Sequence, residues 1–275
     1  MHFTKMQGLG NDYLFVYGPV PENVVSLTKK LSDRHFGVGS DGMIFICPSP
    51  DADFLMRIFN ADGSEAKMCG NGIRCVGKYV YENGYTDRTR LRVDTLSGIR
   101  ELDLDVRNGN VRRVTVNMGK AAAGEEICVE VSGKTLTLVP VSVGNPHAVL
   151  FTEDAEHAPL TTVGPAIEHS PLFPDGVNTE FVQVLSPSEL RMRVWERGSG
   201  VTMACGTGAC AAVAAAVRKG FCPSSVPVTV RLDGGDLTVC VKEDGSAVMT
   251  GGAETVCEGD VPDLLPESRK NGTPA

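Results

Sequence analysis

Apolar residues at alternate positions mark short strands along most of this chain, and two stretches depart from that pattern. Residues 54–60 (FLMRIFN) and 190–196 (LRMRVWE) are rich in apolar, β-branched and aromatic side chains and predict strands. Each runs into a turn, signalled by Asp62-Gly63 in the first and by Gly198-Ser199-Gly200 in the second. A helical pattern follows each turn, over 70–83 with Gly84 as its stop and over 206–219 with Gly220 as its stop. Within the second, 209–217 is nearly all apolar and Ala-rich, and a helix apolar all round is a buried one. Further alternating runs at 91–94, 100–106, 113–117, 136–141, 226–232, 237–241 and 247–250 predict strands, many separated by Gly, Asn or Asp turns.

The two departures are related by a repeat at an offset of 136 residues. Met56-Arg57-Ile58-Phe59 lines up with Met192-Arg193-Val194-Trp195. Ten residues after each aromatic stands a cysteine that opens Cys-Gly-x-Gly: Cys69-Gly70-Asn71-Gly72 and Cys205-Gly206-Thr207-Gly208. Gly84-Tyr85 then matches Gly220-Phe221, Gly98 matches Gly234, and upstream, with a two-residue slip, Gly10-Asn11 matches Gly144-Asn145. The repeat predicts an α+β fold of two pseudo-symmetric homologous domains, each a curved, mostly antiparallel sheet or barrel around one central helix. The expected domains are 1–118, carrying Cys69, and 119–266, carrying Cys205, the last strand being able to return to the first domain. Residues 267–275 are expected to form a loose polar tail.

Composition adds exclusions. A chain of 275 residues fits about two domains at roughly 150 residues each. A net charge of −8 argues against nucleic acid, which needs a basic face, and against an anionic membrane surface. The first residues lack a basic stretch followed by a long apolar run, and no apolar run reaches about 18 residues, so a cytoplasmic location is expected.

Nine cysteines spread thinly through the chain do not read as a disulfide framework. Cys47, Cys128, Cys222, Cys240 and Cys257 are expected to be small buried hydrophobes. Cys69 and Cys205 differ because each sits at a helix start. Bare N–H groups there carry partial positive charge, which is expected to lower a thiol pKa from about 8.5. The Gly-x-Gly lets a ligand approach the backbone, and a helix N-terminus can hold a carboxylate. If pseudo-symmetry brings the two helix starts face to face, two thiols flank one cleft. Inversion at a Cα needs two such acid/base groups on opposite faces, one ionised and one protonated. Zinc is the competing use of Cys69, Cys75, Cys205 and Cys210, but their spacings, Cys-x5-Cys and Cys-x4-Cys, fit a structural zinc site poorly. Cys75 and Cys210 are simpler as core residues. Neither Gly-rich loop is a Walker sequence or a dinucleotide fingerprint.

The stretches LGNDY (9–13), FNADGSEAKMCGNGIR (59–74), GNPH (144–147) and WERGSGVTMACGTGAC (195–210) resemble the diaminopimelate epimerase family in the right order over nearly the whole chain. The resemblance implies epimerisation of LL-2,6-diaminopimelate to the meso form, in lysine and peptidoglycan biosynthesis, by a homodimer without cofactor or metal. It implies that Cys69 and Cys205 are catalytic, the second accepting the proton and the first donating it in the LL-to-meso direction. His147 and Glu196 match residues that support the cysteines. Asn11, Asn60, Asn145 and Asn178 fall on substrate-binding asparagines, Gly70, Asn71, Gly206 and Thr207 on the loops around the reacting centre, and Glu196 with Arg197 on an acid–base pair near the substrate. Arg197 suits a distal carboxylate, and Glu196 suits an ammonium. The sequence departs from some members at Gly42, where they carry Gln; a contact from Ser40 or from backbone is the expected replacement. Proline and hydroxyproline racemase-like enzymes also pair two cysteines, but a cyclic substrate has no use for Arg197, Glu196 and four asparagines. The phenazine-biosynthesis isomerase type lacks the cysteine pair.

Overall fold

The computed structural model describes residues 1–262. The expected tail at 267–275, and the last residues of the second expected domain, lie outside the described residues. The first half opens with strands His2–Gly8 and Asn11–Tyr17 and passes through helix α1 (Val24–Ser32) to Gly42–Cys47 and Phe54–Asn60. Helix α2 (Gly70–Glu82) follows, then Arg90–Asp94, Arg100–Arg107 and Asn110–Lys120. The second half repeats the succession: Lys134–Ser142, Pro146–Phe151, helix α3 (Leu160–Glu168), Asn178–Ser186, Glu189–Glu196, helix α4 (Gly206–Arg218), Val228–Leu232, Gly235–Val241 and Ser246–Gly251.

The pairings repeat as well. Asn11–Tyr17 runs parallel to Gly42–Cys47 as Pro146–Phe151 does to Asn178–Ser186. Phe54–Asn60 runs parallel to Arg90–Asp94 as Glu189–Glu196 does to Val228–Leu232. The other pairs are antiparallel, so the fold is the expected α+β arrangement of two matched halves wrapped on α2 and α4. The halves also exchange strands. Ala122–Ala123, which ends the first repeat a few residues past the expected boundary at 118, pairs with Lys134–Ser142, and Glu254–Asp260, which ends the second, pairs with His2–Gly8. Asn110–Lys120 and Ser246–Gly251 pair with each other and join the two sheets.

Each half holds two helices where the sequence pattern predicted one. The parallel pairs explain the additional ones, since a strand can meet a parallel neighbour only after a crossover. α2 and α4 make that crossover for Phe54–Asn60 and Glu189–Glu196, and α1 and α3 make it for Asn11–Tyr17 and Pro146–Phe151. α1 and α3 are short, their caps make no side-chain bond, and α3 contains Pro165, so each lacks the usual start signal. α1 buries Val24, Leu27 and Leu31 against Leu14, Met43, Phe45 and Phe59. α3 buries Ile167 in a separate small cluster with Val129, Leu138, Ala148 and Val177.

The main core contains α2 and α4. Ile73, Val76 and Val80 of α2 and the run from Ala209 to Ala216 of α4 are all nearly inaccessible and belong to one cluster. Alanines suit α4 because strands close around it on all sides, leaving room for small side chains only. Close packing also holds α3 onto Trp195, the residue before Glu196. A Cβ added to Gly164 would lie 2.4 Å from Trp195 Cγ, inside contact distance. Gly164→Ala is therefore expected to cost about 1–3 kcal/mol, the usual penalty of overpacking, measured by urea denaturation.

Candidate active site

Both Cys-Gly-x-Gly elements fold the same way. Cys69 and Cys205 are extended (φ −137°, ψ 114° and φ −124°, ψ 112°) and occupy the N-cap positions of α2 and α4. Each sulfur stands where a Ser or Asp oxygen usually caps a helix. Cys69 Sγ accepts from the Gly72 N–H at 3.2 Å and Cys205 Sγ from the Gly208 N–H at 3.3 Å. The helix starts abut. A Cβ added to Gly70 would lie 3.5 Å from Gly206 Cα, and one added to Gly206 would lie 3.5 Å from Gly70 Cα. Asn71 spans the junction by donating from Nδ2 to the Ala204 carbonyl at 3.0 Å, and its Oδ1 accepts from Arg74 at 3.1 Å.

Around Cys69, the thiol donates to Asn11 Oδ1 at 3.3 Å. Asn11 Nδ2 donates to Asp41 at 2.7 Å, and Arg34 pairs with Asp41 at 2.9 Å. Around Cys205, Thr207 Oγ1 lies 3.5 Å from the sulfur and accepts from Asn145 Nδ2 at 3.3 Å. Asn145 Oδ1 meets His147 Nε2 at 3.0 Å, and His147 Nδ1 meets Glu180 Oε1 at 2.7 Å. Glu196 accepts from Thr202, and its charge acts on Cys205. Its charge also acts on Cys69, so one carboxylate faces both thiols.

The remaining expected residues lie at the rim or brace it. Asn178 uses both ends of its amide, accepting from the Arg197 N–H at 2.9 Å and donating to the Pro146 carbonyl at 3.2 Å. It ties the His147 strand to the Glu196–Arg197 corner. Arg197 is exposed and donates to the Asp175 carbonyl at 2.9 Å. Asn60 ends its strand opposite Gly42 and donates to Ser64 Oγ at 3.1 Å. Gly42 has φ +155°, and a Cβ there would meet the Phe59 carbonyl oxygen at 2.1 Å, so this backbone has no room for a side chain. Ser40 does not replace the missing Gln: its hydroxyl is buried and bonded to the Gly42 carbonyl and to Ser32. The neighbour that bonds Asn11 is Asp41. Three further residues escaped sequence reasoning. Tyr13 and Glu180 lie two positions after Asn11 and Asn178, hence on the same faces of their strands. Arg74 ends the motif of Cys69 and is fully buried, donating to the Gly70 and Gly252 carbonyls.

The expected lowering of the thiol pKa is not what the site does. Burial pushes Cys69 above the usual thiol value, although the Gly72 and Asn71 N–H groups pull it down. Burial, then Glu196 and Glu180, push Cys205 well above it, against Thr207 and Gly208. Two N–H dipoles cannot outweigh desolvation plus two carboxylates. Burial likewise raises Glu180, Glu196 and Tyr13, the last helped by Cys69 and Asp41. Among the described residues, no three His, Cys, Asp or Glu side chains are grouped to hold a metal ion.

The model of the diaminopimelate epimerase family matches residues 3–123 and 139–256, leaving out the strand Ile127–Val131. A diaminopimelate epimerase of Acetivibrio thermocellus is 50% identical over 277 residues, covering 95% of this chain and 98% of that protein. That of Bacillus subtilis is 49% identical over 275 residues, covering 94% and 97%. Among solved structures, a probable proline racemase from Agrobacterium radiobacter shares the fold with a TM-score of 0.76 at 17% identity, covering 98% of this chain and 94% of that one. A phenazine biosynthesis protein of Bacillus anthracis does so with a TM-score of 0.72 at 16%, covering 95% and 99%.

These surroundings set an order of thiol reactivity. At neutral pH iodoacetamide should label Cys128 and Cys257 first, since they are exposed and not buried as expected, then Cys69, and Cys205 later than Cys69, as followed by peptide mass spectrometry. Glu196→Gln removes a negative charge beside both thiols, so the alkylation pH midpoints of Cys205 and Cys69 should both fall.

Proposed function

Because the chain belongs to the diaminopimelate epimerase family, and so epimerises LL-2,6-diaminopimelate to the meso form, we propose that Cys205 and Cys69 exchange the α-proton from opposite faces. The observation that carries this reading is the matched pair of N-cap thiols on helix starts in contact. The α-carboxylate sits on the first-turn N–H groups of α2 and α4, where charge building up in the transition state is stabilised. In the LL-to-meso direction Cys205 accepts the proton and Cys69 delivers one to the other face. The reaction calls for no cofactor or metal.

A raised thiol pKa suits such a cycle. A protonated thiol is the acid ready to donate, and its partner gives up its proton to solvent as an ammonium group enters. The ammonium group of the substrate, beside Glu196 and Asp41, offsets the negative charge that holds the thiols protonated. Asn11, Asn145 and Thr207 orient the reacting centre, with Gly70, Asn71 and Gly206 at its backbone. Asn60, Asn178 and Arg197 receive the distal end, Arg197 taking the carboxylate, while Glu196 stands by an ammonium group. His147 supports Cys205 through Asn145 and Thr207. The resemblance further supports a homodimer in the cytoplasm, and sedimentation equilibrium should return twice the protomer mass.

The decisive experiment is incubation with LL-2,6-diaminopimelate in D2O. Wild type should form meso product carrying solvent deuterium at one Cα. Cys69→Ser and Cys205→Ser should each lower kcat by about 10²–10⁴, the usual worth of a positioned acid or base. Full activity in either variant would refute the pairing.

A further inference from the structure

The repeat allows the surroundings of the two thiols to be compared position by position. Asn11 corresponds to Asn145 and, in the same register, Tyr13 to His147. At the offset of 136 residues, Ile44 corresponds to Glu180. The structure keeps these equivalences: a Cβ on Gly72 would meet Ile44 Cδ1 at 2.6 Å, and one on Gly208 would meet Glu180 Oε1 at 2.7 Å. The place that a hydrocarbon fills beneath Cys69 is thus held by a carboxyl beneath Cys205. Packing alone does not need that carboxyl, since Ile44 packs the equivalent space. Both Glu180 and His147 have fully inaccessible side chains, and Glu180 Oε2 has no hydrogen-bond partner.

Hydrogen bonds run in a chain from Glu180 through His147, Asn145 and Thr207 to Cys205, and Gly208, whose N–H bonds that sulfur, packs beside Glu180. Their directions fix a proton. Asn145 Nδ2 donates to Thr207, so Asn145 Oδ1 faces His147 Nε2 and can only accept. Nε2 therefore carries a hydrogen. One proton then lies between Nδ1 and Oε1, as imidazolium with carboxylate or as imidazole with carboxylic acid. In both forms the pair has zero net charge, the form burial favours.

We propose that Glu180 is a positioning residue of the epimerase reaction: it holds His147 in the Nε2–H form and, through Asn145 and Thr207, orients Cys205, making the two thiols inequivalent. This rests on the reading of Cys205 as an acid/base group. The charged or titratable groups facing it are Glu180 from Asn178–Ser186, Glu196 from Glu189–Glu196 and His147 from Pro146–Phe151.

The test combines one measurement on wild type with two variants. With ¹⁵N-labelled histidine, assigned by loss of the signal in His147→Gln, His147 Nε2 should carry a hydrogen; an unprotonated Nε2 overturns the proposal, and needs no activity to read. In Glu180→Gln, near in shape to the parent, kcat should fall tenfold or more with KM within twofold. The alkylation pH midpoint of Cys205 should move while that of Cys69 stays. The double variant His147→Gln/Glu180→Gln should lose no more than His147→Gln alone, because Glu180 acts through His147. Wild-type kcat and an unmoved Cys205 midpoint in Glu180→Gln, or losses that add, would overturn it. Full activity of Cys205→Ser would instead defeat the two-thiol reading, whatever the histidine signal.

Discussion

The contact between Gly70 and Gly206 is the constraint on which the molecule depends. Two helix N-termini carry like partial charge and do not attract each other. They meet here because each begins with a residue lacking a side chain, and because Met249 and Asn71 hold the junction closed. A Cβ at either glycine would already touch Met249 and the opposite Cα, at 3.0–3.5 Å, so the junction has room for the smallest residues only. Strand exchange serves the same end. With Glu254–Asp260 built into the first half and Ala122–Ala123 into the second, neither half can rotate freely against the other. These shared strands tie both walls of the cleft to the core beneath it, which suits a site requiring two thiols on opposite faces of one carbon.

The electrostatics of that cleft reverse a common rule. A cysteine at a helix N-terminus is usually described as an activated thiolate. Here the N–H groups do bond the sulfurs, yet burial is the larger effect, and the nearby carboxylates reinforce it at Cys205. Thiols held protonated are protected from alkylation and oxidation. In the proposed cycle it is an ammonium group of the substrate that would offset this balance as it enters. Arg74, buried among α2, Gly252 and Met249, is the cation already present; its charge pulls Cys69 down, against the effect of burial.

The two halves share a fold without sharing chemistry at every position. Asn11 and Asn145 do equivalent work, each leading to its thiol. Asn60 and Glu196 occupy the same repeat position but differ in charge, and Tyr13 and Ile44 stand where the second half has His147 and Glu180. Gene-scale symmetry supplied the two facing helices; local substitution made the faces unlike, as they must be for a substrate whose two sides are not mirror images.

The repeat at 136 residues was legible in the sequence because strand, turn and Cys-Gly-x-Gly recur at fixed spacing, and local spacing alone determines such elements. It sufficed for the α+β class, for α2 and α4, and for singling out Cys69 and Cys205 from nine cysteines. α1 and α3 were not legible, being short crossovers without side-chain caps, stabilised by the sheets they cover rather than by their own propensity. Asp41, Tyr13, Arg74 and Glu180 were hidden for a related reason: a polar residue in a strand or helix declares its role only through what lies across from it. The direction of the thiol shifts was decided by tertiary structure as well. The helix start that lowers a pKa is local and visible in the sequence, whereas the burial and the opposed carboxylates that raise it come from chain segments over a hundred residues away from Cys69 and from strands folded over Cys205, and desolvation exists only once those segments have closed.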